Sequence, residues 1–346
     1  MPAYATKKSN GGVLRTVIIM VAAVSVCLAA ALLYAEMWPN EFPGNADAVV
    51  FVSRGESFHH VADTLEQMGV IANRSLFMLV ARLHGGGKVQ VGRYVLKSGW
   101  SNGQILEALR TGRGIVLVPV TIREGLSIRR QAREYARSLG VDSSKFAGIA
   151  SDSDVVRKYG LEGSTLEGYL MPDTYAFSWQ TDEAEIVKRM VNAFKKFYGD
   201  SIATLASETG RSMKEIVTMA SIVEGETRVE MERPIVAGVY YNRLMLGMRL
   251  EADPTIQYTL EDGPRRLLYA DLKTESPYNT YLHAGLPPGP ISSPGRSSLL
   301  AAAQPAHHQY LYFVANGRGG HTFSVTYNEH LRNVSAARRL RGLANK

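Results

Sequence analysis

Apolar and polar positions follow four successive patterns along this chain. The first is an unbroken apolar run, VIIMVAAVSVCLAAALLYA at 17–35, without one charged residue. As a helix rising about 1.5 Å per residue it would be roughly 28 Å long, close to the thickness of a hydrocarbon core, so it predicts a transmembrane helix. Lys7, Lys8 and Arg15 precede it, and the first acid of the chain is Glu36. That asymmetry places residues 1–16 as a cytoplasmic tail and the rest outside the membrane. A cleaved signal peptide is the competing reading, since Ala29-Ala30-Ala31 resembles a cleavage site. Its apolar core, however, would ordinarily be only ~7–15 residues long. No later stretch is long and apolar enough for a second span.

After a linker at 36–48, short alternating strands are followed by helical spacing. A strand at 49–52 leads through Arg54-Gly55-Glu56-Ser57 into a helix marked by Val61, Ala62, Leu65 and Met68, which stops at Gly69. A strand at 118–122 leads through Arg123-Glu124-Gly125-Leu126-Ser127 into a helix marked by Ala132, Tyr135, Ala136 and Leu139, which stops at Gly140. Between them lie a strand at 92–96 and a helix at 102–109 capped by Ser101. Residues 49–115 resemble a LysM-type module, a class that binds N-acetylated glycans; a generic small α+β scaffold fits the same pattern. Residues 116–160 form a second strand–helix unit.

From 161 to 346 the pattern is that of a larger α+β domain. Helices are expected at 183–198, with one apolar side, at 214–223, apolar almost all round and therefore central, and at 236–246. Strands at 310–314 and 321–325 flank the loop Ala315-Asn316-Gly317-Arg318-Gly319-Gly320, a hairpin signature. The fold class is therefore α+β, behind an N-terminal transmembrane helix.

Composition narrows the function by exclusion. With 45% hydrophobic and 21% charged residues in 346, the chain is neither disordered nor a coiled-coil rod. Its single cysteine, Cys27, rules out a disulfide framework and a Cys-rich metal site. The net charge of +7 favours anionic surroundings, but the basic residues are dispersed among acids, which argues against nucleic acid. No P-loop, GxGxxG, HExxH or SxxK pattern is present, so no metal or cofactor is implied.

One segment carries possible chemistry: Ser221-Ile222-Val223-Glu224-Gly225-Glu226-Thr227. Two carboxylates leave the end of an apolar helix, roughly 200° apart if the helix continues, so at most one faces a given cleft. A carboxyl against apolar packing keeps its proton to higher pH and can act as a general acid. Two solvated glutamates at a helix end fit the same spacing, and spacing leaves both readings open.

The segment ASIVEGET, followed by Glu232-Arg233, Asn242-Arg243-Leu244, Asp253-Pro254-Thr255, Tyr278-Asn279-Thr280-Tyr281, GLPPGPI at 285–291 and Gly320-His321-Thr322-Phe323, resembles the YceG/MltG family of endolytic murein (lytic) transglycosylases. EGYLMPDTY at 167–175 adds to it, and the likeness extends over nearly the whole chain. The resemblance implies that Glu226, directly before Thr227, is the catalytic acid, with Glu224 a secondary candidate. It implies cleavage of MurNAc-β-1,4-GlcNAc bonds inside nascent peptidoglycan strands, leaving 1,6-anhydro-MurNAc ends. The setting would be the cell inner membrane, with the catalytic part periplasmic or otherwise extracytoplasmic, no cofactor, and peptidoglycan synthases as partners. Thr227, Gln257, Asn279 and Tyr281 become candidates for holding substrate, and Tyr240 or Tyr278 for stacking on sugar faces. Two rivals are a peptidoglycan-binding scaffold without turnover and a hydrolytic muramidase. The muramidase would need a second carboxylate across the cleft, Asp253 or Glu251.

Overall fold

The computed structural model describes residues 11–261 and 263–344; Lys7 and Lys8 lie outside the described residues. It divides into two compact units, one reaching to Val118 and including 178–180, the other holding 119–177 and 181 onward. Each has mixed helix and strand, and the described residues form three two-stranded sheets.

In the first unit, α1 (Gly11–Met37) carries the apolar run, and Leu14–Met37 is long and apolar enough to cross a membrane. Its end is not a free tether. Ala35 is buried, Asn102 Nδ2 donates to the Ala35 carbonyl at 2.7 Å, and His84 Nε2 meets Glu36 at 2.9 Å. Residues 36–48, expected as a linker, are packed into the unit: Phe42 is buried and Asn40 Nδ2 donates to the Trp100 carbonyl at 3.0 Å. The order continues β1 (Ala48–Val52), α2 (Phe58–Gln67), α3 (Arg74–Leu83), β2 (Gly92–Leu96) and α4 (Asn102–Thr111). β1 and β2 pair antiparallel, with Ala48 opposite Leu96, so Val50, Val52, Tyr94 and Leu96 face one core with Leu65, Phe77, Val80 and Leu109. Ser57, Asn73 and Ser101 cap their helices by accepting from the N–H three residues on. The pattern analysis passed over α3, although Asn73 and the spacing of Phe77, Val80 and Ala81 mark it.

The second unit opens with β3 (Val118–Thr121), α5 (Ile128–Leu139), α6 (Ser143–Ala150), α7 (Ser153–Lys158) and β4 (Thr174–Phe177). β3 pairs with β4, so the likeness between the two strand–turn–helix segments stops at local order: each strand joins a different sheet. Then come α8 (Glu183–Ser201), α9 (Ala203–Thr209), α10 (Met213–Glu226), α11 (Arg233–Met245), α12 (Asp253–Thr259), α13 (Arg296–Ala303), the hairpin β5 (Tyr312–Ala315) and β6 (His321–Ser324), and α14 (Tyr327–Ala344).

α10 is the centre of this unit. Ser212 and Glu215 form a capping box at its start, and residues 216–223 are all buried. It packs against α11, α12 and α13. Ser221 Oγ donates to the Thr218 carbonyl at 2.7 Å and accepts from the Ile291 N–H at 3.0 Å, which ties the Pro-rich loop to α10. From α11, Asn242 Nδ2 donates to the His308 and Tyr310 carbonyls at 2.8 and 3.1 Å. Arg243 Nε donates to Leu311 at 2.7 Å and Nη1 to Leu250 at 2.9 Å, so Asn242-Arg243 pins both the hairpin and the turn before α12.

Gly225 lets α12 approach the end of α10: a Cβ there would meet the Pro254 ring at 2.6 Å. Gly225→Ala is expected to force the two helix ends apart at a cost of about 1–3 kcal/mol. Calorimetry would register this as a lower melting temperature of the second unit, and cleavage would fall with it, because Asp253 and Glu226 would lose their spacing.

Candidate active site

A cleft of about 940 Å³ runs through the second unit. Its walls come from the end of α10, the start of α12, the first turns of α5, the 291–292 loop segment and the hairpin loop at Gly319 and His321.

Glu226, the last residue of α10, stands on this cleft. Its Oε1 accepts from the Tyr240 hydroxyl of α11 at 2.6 Å. Burial pushes its carboxyl up to about 7 and the Asp253 charge adds to this, while the Tyr240 hydrogen bond and Arg243 oppose it. The group is therefore largely protonated just below neutrality and able to give and retake a proton there. Asp253 is itself held by the Tyr281 hydroxyl, which donates to its Oδ1 at 2.6 Å.

Glu224, two residues earlier, also touches the cleft wall, but its oxygens are taken. Arg233 donates to both at 3.1 and 3.3 Å, and the Gly295 N–H donates to Oε2 at 2.9 Å. The Glu224 and Arg233 side chains are only 7% and 9% exposed. Glu124 leans on the same arginine at 3.6 Å, with its carboxyl raised by burial and by the Glu224 charge. The expectation that at most one of the two glutamates faces a given cleft is not met: both line this one, and their partners, not their positions around the helix, set them apart.

The other candidates divide. Thr227 is buried; its Oγ1 donates to Glu232 Oε2 at 3.2 Å and accepts from the Val229 N–H at 3.0 Å. Glu232 also accepts from the His321 backbone and Nδ1 at 2.8 and 2.7 Å. Although burial opposes it, these bonds hold the Glu232 carboxyl below its usual range and fasten the hairpin to the turn after α10. Gln257 lines the cleft while its amide clasps Arg265, donating to the carbonyl at 2.5 Å and accepting from the N–H at 3.0 Å.

Asn279 is not brought to the cleft: it is 0% exposed. It spends Nδ2 on the Leu272 and Thr274 carbonyls and Oδ1 on the Tyr281 N–H. Tyr240 is also no stacking platform, because its ring is buried edge-on against Phe313. Of the other aromatics, Tyr169 is in the core against Phe194, and Trp179 stands against Phe51 in the first unit. Sequence reasoning missed Tyr258, which lines the cleft against Tyr278, and the arginines of α5. Their signal was the helical spacing of Arg129, Arg130 and Arg133.

Tyr240→Phe is expected to raise the Glu226 pKa further, because the lost bond favours the ionised form. The alkaline limb of the pH–rate profile should move upward, and the rate near neutrality should drop about tenfold through lost positioning.

The chain matches the family model described as the YceG-like family over residues 50–336. It is 30% identical over 310 residues to a Bacillus subtilis protein described as an endolytic murein transglycosylase, covering 84% of this chain and 85% of that one. A Streptococcus pneumoniae protein of the same description is 28% identical over 317 residues, and the match spans 57% of its length. A crystal structure of a yceG-like protein from Listeria monocytogenes superposes with a TM-score of 0.61 at 30% identity, covering 83% of this chain and 98% of that one.

Proposed function

The chain belongs to the YceG-like family, and from that premise we propose that it is an endolytic murein transglycosylase with Glu226 as its acid and base. The observation that carries the reading is a carboxyl pushed up to about 7, on an open cleft, held in place by one hydroxyl. Glu226 first gives its proton to the glycosidic oxygen as the bond from C1 of MurNAc to that oxygen breaks. The resulting carboxylate then takes the proton of the MurNAc C6 hydroxyl as that oxygen bonds to C1. No water is consumed, the product ends in a 1,6-anhydro ring, and Glu226 is protonated again. One residue serves both steps, unlike the paired carboxylates of hydrolytic glycosidases.

The neighbouring groups have supporting parts. Asp253 and Tyr281 set the field around Glu226 and offer an anion near the sugar that becomes positively charged. Gln257 and Tyr258 face the strand, and Glu224 holds the backbone through Arg233 and Gly295. Residues 49–115 of the first unit form a LysM-like glycan-holding module, a reading supported by their β1-α2-α3-β2 order. α1 is a single-pass anchor in the inner membrane with both units extracytoplasmic. The substrate is the nascent strand, and the synthases that polymerise it are partners.

Full-length protein in mild detergent, incubated with uncrosslinked glycan strands, tests this by mass spectrometry of the products. Internal anhydro-ended fragments are expected, at a rate that falls above pH 7 as Glu226 loses its proton. Reducing ends would make the protein a muramidase, and binding without cleavage at any pH would make it a scaffold.

A further inference from the structure

α5 buries Ile128, Gln131, Ala132, Tyr135 and Leu139, which leaves Arg129, Arg130 and Arg133 together on another face. That face lines the cleft, and Arg123 and Arg228 join it. The helix is seated firmly. Glu167, buried, accepts from the Ile128 N–H at 3.1 and 3.2 Å with its two oxygens, and Gln131 Nε2 donates to Ser293 Oγ at 2.8 Å. Arg129 reaches the carbonyls of Tyr258 and Leu260 at 3.5 and 3.4 Å. The guanidinium groups of Arg123, Arg130, Arg133 and Arg228 meet no acceptor among the described residues. The cleft's acids offset them only in part: Glu224 and Glu124 both lean on Arg233, Asp253 accepts from the neutral Tyr281 hydroxyl, and Glu261 has no partner among the described cleft residues.

Several like charges crowded into one cleft repel each other until an anion joins them. The glycan of murein offers none: its sugars carry hydroxyl and N-acetyl groups, and the lactyl acid is consumed in the amide to the peptide. The anions along a strand are the carboxylates of the peptide stems, borne on the same muramoyl residues whose C1 bond would be cut. We propose that the arginine face of α5, with Arg123 and Arg228, is a subsite for the stem-peptide carboxylates beside the scissile bond, an inference that rests on the murein-cleaving reading of the cleft. Guanidinium forks suit it because they grip carboxylates with two bonds at once. The enzyme then favours strands that still carry their stems over strands stripped of them.

The test uses full-length protein and two pools of lipid-free, uncrosslinked strands, one with intact stems and one stripped by an amidase and then capped as methylamides at the lactyl acids that the amidase frees. For the wild type, kcat/KM is expected to be about tenfold higher on stem-bearing strands, the gap lying in KM. In an Arg130→Gln/Arg133→Gln variant the ratio between pools should shrink to within about twofold. Raising salt from roughly 50 to roughly 300 mM should shrink the wild-type ratio too, which keeps the test independent of how the variant folds. Equal cleavage of both pools by the wild type, or an unchanged ratio in the folded variant, overturns the subsite. If the wild type cleaves neither pool, the functional reading fails separately. Binding of a fluorescent stem-bearing disaccharide to wild type and to the arginine variant then decides the subsite: weaker binding by the variant supports it and equal binding overturns it.

Discussion

Glu226→Gln should lower strand cleavage by at least about a thousandfold while leaving the fold intact. The amide can neither protonate the leaving oxygen nor accept the C6 hydroxyl proton, so both halves of the reaction fail at one atom. Its shape matches the protonated acid, and its oxygen can still accept from Tyr240. Burial first, and then the Asp253 charge, keep the proton on Glu226 up to about pH 7. Glu226 is the last residue of α10, where exposed carbonyls make the helix end partly negative, and the last turn holds no basic residue. The same setting gives the variant a second signature. A carboxyl raised from 4.5 to about 7 on folding binds its proton more tightly in the native state. Its contribution to stability is complete below pH 4.5 and is lost as pH rises through 7. The shift corresponds to about 3 kcal/mol. The Gln variant should therefore melt like the wild type near pH 4 and several degrees above it near pH 8. A loss of activity with equal melting at both pH values would contradict the buried-acid account.

Arg233→Met is the second large effect. It leaves Glu224 with the Gly295 N–H as its donor, in a site where the carboxylate is 7% exposed and Glu124 stands close by. Removing one member of a buried pair typically costs 3–5 kcal/mol, because the survivor keeps its charge and loses its compensation. At roughly 2–4 °C per kcal/mol for a unit of this size, melting should fall by about 10 °C. Adding Glu224→Gln should recover much of that loss, since the survivor is then neutral. Recovery of stability without full recovery of cleavage is expected, because Arg233 opens α11 and helps fix the approach to Tyr240.

How much of this was legible in the chain depends on range. The apolar run of α10, the β5–β6 hairpin and the caps at Ser57 and Ser101 are local patterns, and they were readable. α10 runs on to Glu226, three residues past its last apolar position, because Thr227 ends it through a bond to Glu232 rather than through a Gly stop. α13 was passed over in the pattern, since SSLLAAA shows no polar and apolar stripe; it is buried because α10 lies along it. Choosing between Glu224 and Glu226 needed either the family resemblance or the partners. Arg233 is nine residues from Glu224, but Gly295 is seventy-one away, and no periodicity encodes such a meeting. Asn279 and Tyr240 were assigned to the sugar on residue type. Type does not reveal that one is consumed by its own turn and the other by Glu226.

The end of α1 has a mechanical consequence. A flexible ten-residue tether would let a domain wander by about 17 Å. Here Ala35 sits in the core of the first unit and residues 36–48 are pinned down, so nothing acts as a swivel. If α1 spans the bilayer as proposed, any tilt or roll of that helix turns the unit with it, like a handle fixed to its tool. A protein shortened to begin after the helix would lose its address and, with it, a plug from its own interior.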